Sequence, residues 1–240
     1  MAGHSQYANI KHRKDAQDNK RGKIFQKLSK EIYVAVKLGG PQIESNPRLK
    51  LILEKARRIN MPKDNINRAI NKANNKNETI HYDAITYEGY GPGNVAILVH
   101  CLTDNKNRSA SNIRSYFHKA GGNLGATNSV QYLFQTAGVI EFASSLPLDD
   151  ILEIVLDFEV FKLEKKADIV YLSVLAKQLA IVTNRLVQNG IIDLITNDIV
   201  NIPHQTITLQ EPHQIQNFYT LLQTIENDDD VLLVEHNFQE

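Results

Sequence analysis

The sequence predicts a multidomain chain of α and α+β type, with an N-terminal helical bundle followed by two α+β domains, one inserted into the other. Three observations predict it. Apolar residues recur at helical spacing through the first 80 positions. The pattern changes after Thr79 to short β-branched runs that alternate with helical stretches. One complete β-α-β-β-α-β series then lies between two incomplete ones.

The helical part comes first. Ile24/Phe25, Leu28, Ile32 and Val36 mark one helix face, and Gly39-Gly40-Pro41 stops that helix. Asn46 is the expected cap of a second helix, with Pro47 in its first turn and Leu49, Ile52, Leu53 and Ala56 as its apolar stripe. Pro62 opens a third helix that turns Ile66, Ala69 and Ile70 inward. Three short amphipathic helices with brief connections make a small bundle. Asn71–Asn77, rich in Asn and Lys, is the expected linker.

Ala84–Tyr90 and Val95–Leu102 are expected strands joined by the turn Gly91-Pro92-Gly93. A helix over about 108–120 and a strand over Val130–Gln135 follow. The second series has strands at Val139–Phe142, Val160–Leu163, Ile169–Ser173 and within Ile191–Ile202. Its helices are Leu148–Leu156 and Leu175–Gln188, so its order is ferredoxin-like. Thr206–Leu209, a helix around Gln214–Ile225 and Val231–Glu235 complete the interrupted series. The expected organisation is a basic flexible arm (1–22), a helical domain (23–80), a discontinuous ferredoxin-like α+β domain (81–135 plus 204–240) and a second one (136–203) inserted in it.

The net charge is zero, but the charge is unevenly divided. Residues 1–80 carry 18 Lys/Arg against 7 Asp/Glu, and the remainder 9 against 20, so +11 faces −11. Such asymmetry points to nucleic acid or an acidic partner. The lone Cys101 lies in an apolar run and reads as a buried thiol of a cytoplasmic protein, without a disulfide. No apolar run has the ~20 residues of a membrane span, and the N-terminus lacks the apolar core of a signal peptide. Asp15 and Asp18 speak against a mitochondrial presequence.

No catalytic set is convincing, and no enzyme, metal or cofactor is expected. The histidines have no zinc spacing, and His100 reads as a core histidine. The glycines of Gly89–Gly93 sit between strands, not before a helix, and read as a hairpin turn. Asp228-Asp229-Asp230 reads as a solvated loop.

The basic residues form the candidate site. Lys11, His12, Arg13 and Lys14 make one cluster, and Lys20, Arg21 and Lys23 a second. Lys27 and Lys30, with Lys37, continue along the first helix; Arg57, Arg58 and Lys63 surround the end of the second. Such cations bind phosphate by releasing condensed counterions, independently of sequence. Tyr7 and Tyr33 offer aromatic faces for stacking.

The chain also resembles a known family. Gly3-His4-Ser5, Ala8-Asn9-Ile10-Lys11-His12-Arg13-Lys14 and Lys20-Arg21-Gly22-Lys23-Ile24-Phe25 are similar to the opening of the YebC/PmpR family. Asn46-Pro47-Arg48-Leu49, Asn60-Met61-Pro62-Lys63-Asp64-Asn65-Ile66 and Tyr87–Gly93 continue the match. Leu102–Asn105, Gly121–Gly125 and Asp228–Val231 carry it to the end of the chain. The resemblance implies three domains, one helical and two α+β. It implies a probable transcriptional regulator that binds DNA, since most members are so described. The family also includes the mitochondrial translational activator of cytochrome c oxidase subunit I, and some bacterial members act on stalled ribosomes. A ribosome-associated factor that binds ribosomal RNA is therefore the alternative. Gln6-Tyr7 replaces the Lys-Trp common in the family, Asp15 stands where alanine is common, and 158–168 is basic-interrupted where many members are acidic.

Overall fold

The computed structural model describes residues 3–75, 77 and 80–239, the side chains of 3–20 excepted. Helix α1 runs over Gly3–Gly39, so the segment expected as a flexible arm is helical and continuous with the expected first helix. It stops where Gly40 takes the left-handed conformation at φ 83° and donates its N–H to Val36 O at 2.8 Å. Helix α2, Pro47–Arg58, is capped by Asn46, whose side-chain oxygen accepts from Leu49 N at 3.0 Å. Helix α3, Lys63–Asn74, extends into the expected linker because Ala73 is buried and prolongs the stripe begun by Ile66 and Ala69. Leu28, Ile32, Tyr33, Leu49, Leu53 and Met61 are central to the core of this bundle.

Strands β1 (Asp83–Tyr90) and β2 (Ala96–Thr103) pair antiparallel from Asp83↔Thr103 to Tyr90↔Ala96. Between them Pro92–Asn94 forms a 3-10 turn, with Gly93 at φ 64°, where a side chain would collide with Leu209. Helix α4 (Lys106–Lys119) is capped by Asn105 and buries Ile113 and Phe117; strand β3 (Asn123–Leu124) pairs with β1.

Strand β4 (Phe134–Ala143) merges two expected strands, Val130–Gln135 and Val139–Phe142. Gly138, which interrupts the apolar pattern, belongs to the strand: a Cβ there would meet Leu179 Cβ at 2.8 Å. Its lack of a side chain admits close helix packing rather than a turn. The expected boundary at 135/136 thus falls inside β4. Helix α5 (Leu148–Val155), strands β5 (Val160–Lys166) and β6 (Ile169–Leu175), helix α6 (Leu179–Gln188) and strand β7 (Leu194–Pro203) follow. Helix α6 begins four residues later than expected, because Leu175 still pairs with Ala137 and residues 176–178 form a 3-10 turn. Helix α7 (Pro212–Glu226) and strand β8 (Val231–His236) end the chain. Of the strand expected at Thr206–Leu209, only a single bridge from Ile207 to Phe238 forms.

The chain divides into two compact units. One comprises Met1–Ser129 and Leu209–Val234, with sheet order β3-β1-β2-β8. The other comprises Val130–Thr208 and Glu235–Glu240, with sheet order β5-β6-β4-β7 and every pairing antiparallel. Its core is built on Ile140, Phe142, Ile151, Val155, Leu172 and Leu186. No described helix is long and apolar enough to cross a membrane.

Candidate nucleic-acid interface

Lys23, Lys27 and Lys30 stand at i, i+4 and i+7 on α1, one face of the helix. That face meets the end of α7. A helix leaves its last carbonyls without partners and carries a partial negative charge there, so ammonium groups are favoured. Lys27 Nζ donates to Glu226 O at 2.7 Å, Lys23 Nζ to Asn227 O at 2.8 Å and Lys30 Nζ to Asp229 O at 2.9 Å. Burial lowers the Lys27 pKa, while the charges of Glu226 and Asp228 pull it back up.

Lys30 also donates to Asp230 Oδ1 at 2.8 Å. Asp230 is 4 % exposed, and its second oxygen, Oδ2, accepts from Arg108 at 2.7 Å, Ser109 Oγ at 2.9 Å and Thr103 Oγ1 at 3.0 Å. Burial alone would raise its pKa. The hydrogen bonds from Arg108, Lys30 and Ser109 outweigh that and hold the carboxyl well below the usual carboxylate range. The same bonds push the Arg108 guanidinium further up, led by those to Asp230 and Asp104. Asp228 accepts from Tyr116 OH at 2.9 Å and from Asp230 N at 2.9 Å. Burial, then the bond to Asp228, push the Tyr116 hydroxyl up to about 12.

The acidic triplet is therefore not a solvated loop. Only Asp229 is exposed; Asp228 and Asp230 are anchoring acceptors whose partners come from α1, β2 and α4. Sequence reasoning missed Arg108, Ser109 and Thr103 because their partner lies more than 120 positions away. Nearby, burial and the charges of Asp228 and Asp230 push the Cys101 thiol up to about 12, so it stays protonated and weakly reactive.

The remaining predicted site residues are placed as follows. Lys11, His12, Arg13, Lys14 and Lys20 lie on α1, and their side chains are outside the described ones. Arg21 is exposed, with its guanidinium 5.9 Å from the Phe25 ring centre. Arg57 and Arg58, in the last turn of α2, and Lys63, first in α3, are exposed. Tyr33 does not offer a stacking face. It is 4 % exposed, donates its hydroxyl to Ile80 O at 3.1 Å and packs edge-on against Tyr82. Tyr7 lies among the side chains not described. Arg48 and Lys50 are further exposed cations on α2 that the clusters in the sequence do not single out.

Two family models match the chain. The one described as the TACO1/YebC protein N-terminal domain covers residues 5–76, and the one described as the TACO1/YebC second and third domain covers 82–238. A probable transcriptional regulatory protein of Geobacillus sp. (strain WCH70) is 45% identical, over 100% of this chain and 98% of its own length. Proteins of the same description from Enterococcus faecalis (45% identical) and Lactobacillus helveticus (47%) match over 96% of both chains. The crystal structure of a conserved hypothetical protein from Aquifex aeolicus superposes with a TM-score of 0.79 at 37% identity, covering 91% of this chain and 90% of that one.

Proposed function

We propose a function from one premise: the chain belongs to the TACO1/YebC family. It acts as a transcriptional regulatory protein that binds DNA through its basic N-terminal helical domain. The relatives' description supports the first half of this reading. The observation that carries the second is the set of exposed cations Arg21, Arg57, Arg58 and Lys63 on α1–α3. A phosphate can reach each of these in solvent, whereas Lys30 is held by the buried Asp230. The 11–14 and 20 cations add to the same term through counterion release.

The same reading takes the chain as three domains. They are the helical domain, an α+β domain of β1–β3, α4, α7 and β8, and a ferredoxin-like domain of β4–β7, α5 and α6 inserted in it. The activity is binding alone, without catalysis or a cofactor.

Affinity for a duplex promoter fragment, measured against salt, tests the proposal. Replacing Arg21, Arg57, Arg58 and Lys63 together by Ala should flatten the slope by about 0.9 for each phosphate no longer neutralised. An unchanged slope would exclude these residues from the interface. Binding to structured ribosomal RNA but not to duplex DNA would replace the DNA reading by one of a ribosome-associated factor.

A further inference from the structure

We infer that the end of α7 is an internal competitor for nucleic acid: it occupies a basic face of α1 in this conformation, and phosphate can take that face only when α1 and α7 separate. The inference rests on the reading of α1 as part of a nucleic-acid interface, and goes beyond it by naming what regulates that interface.

The geometry resembles that of a helix holding a phosphate backbone, with peptide carbonyls and one carboxylate in place of phosphate oxygens. Three ammonium groups along one face of α1 meet four oxygens: Asn227 O, Glu226 O, Asp229 O and Asp230 Oδ1. An ammonium has three donors, so Lys23 and Lys27 keep some donor capacity for a further acceptor. Charge prevents the sharing. Glu226, Asp228 and Asp229 act directly on Lys27, and the negative end of the α7 dipole adds to them. A phosphate brought to these lysines while α7 is in place meets like charges; one brought after α1 has lifted meets three released cations.

Docking of α1 and binding of polyanion are therefore linked with opposite sign. By reciprocity, whatever weakens the docking strengthens the binding, and bound nucleic acid weakens the docking. The apparent affinity equals that of the undocked state multiplied by the fraction of molecules in which α1 is undocked, so docking lowers it. The surface cations Arg21, Arg57, Arg58 and Lys63 would engage phosphate first, and Lys23, Lys27 and Lys30 second.

The test removes the competing charge and leaves the fold's anchors intact. Asp230 and Asp228 are unsuitable, because they also bind Arg108, Ser109, Thr103 and Tyr116. Glu226 and Asp229 are exposed, and their side chains figure only through their charge. The double variant E226Q/D229N is compared with D150N/E153Q, which removes the same charge from the exposed side of α5 in the other unit. With a random-sequence 20-base-pair duplex as probe, E226Q/D229N should bind about five-fold tighter than the wild-type chain at low salt. Its salt slope should be steeper by about 0.9 for each further phosphate neutralised. Backbone amides of α1 from residue 21 to 30 should also exchange hydrogen faster in this variant without DNA. The control should do neither.

Equal gains in the two variants would reduce the effect to bulk charge and overturn the inference while leaving the functional reading standing. Unchanged affinity and exchange in E226Q/D229N would overturn it likewise. A wild-type chain that does not bind, beside a double variant that does, would support it strongly. Failure of all three proteins to bind DNA would overturn the functional reading and the competition together.

Discussion

A single carboxylate organises the larger unit. Asp230 ties α1 through Lys30, α4 through Arg108 and Ser109, and β2 through Thr103. Asn at this position keeps the shape but loses the charge, and D230N should cost about 3 kcal/mol in denaturant unfolding, since hydrogen bonds to charged groups are the strong ones. The effect depends on pH in a fixed direction. The folded pKa lies below the unfolded value of about 3.9, so the stabilisation is complete above that value and is lost as pH falls through the folded pKa. The Asp230 contribution, read as the difference between the wild-type chain and D230N, should thus hold level from pH 8 to 5 and shrink below about pH 4. Nothing local separates Asp230 from Asp229 in the sequence. Their opposite fates come from which way the chain turns on entering β8, and from donors supplied by distant segments.

At the scale of elements, local chemistry was legible wherever one residue acts alone. Asn46 is an example. Its position before Pro47 identifies it as a cap, yet in the structure it also clasps α1 to α2, because its Nδ2 donates to Ala35 O and Gly40 O at 2.8 Å. Asn46→Ala should therefore cost about 2 kcal/mol, the upper end for a cap, as read by thermal or denaturant unfolding. Glycine was harder to read. Gly40 does end its helix, whereas Gly138 lies within β4 because Leu179 packs over it. Gly138→Ala should destabilise the smaller unit by about 1–3 kcal/mol through overpacking, measurable as a shift in its unfolding transition. The Asn-rich end of α3 was hidden by composition, since a single buried Ala73 sufficed to prolong the helix.

For the molecule as a whole, the neutral net charge conceals two different balances. Part of the basic excess of 1–80 is answered within the chain by the acidic end of α7, and part remains exposed on α1–α3. The two units carry separate cores, so heat should unfold the protein in more than one step. Calorimetry should accordingly give a total enthalpy larger than the van't Hoff value from the main transition.

The sequence by itself determined the helix stripes, the Asn46 cap, strands β1, β2 and β5 to β8 and the family, because these depend on spacing and on contacts a few residues long; β3 and the merging of two expected strands into β4 it did not. The tertiary structure alone decided which basic residues stay exposed. Lys30 and Lys63 look alike in the chain, but one faces Asp230, 200 positions away, and the other faces solvent. A charge pattern records which residues can bind phosphate; only folding brings up the internal acceptors that claim some of them first.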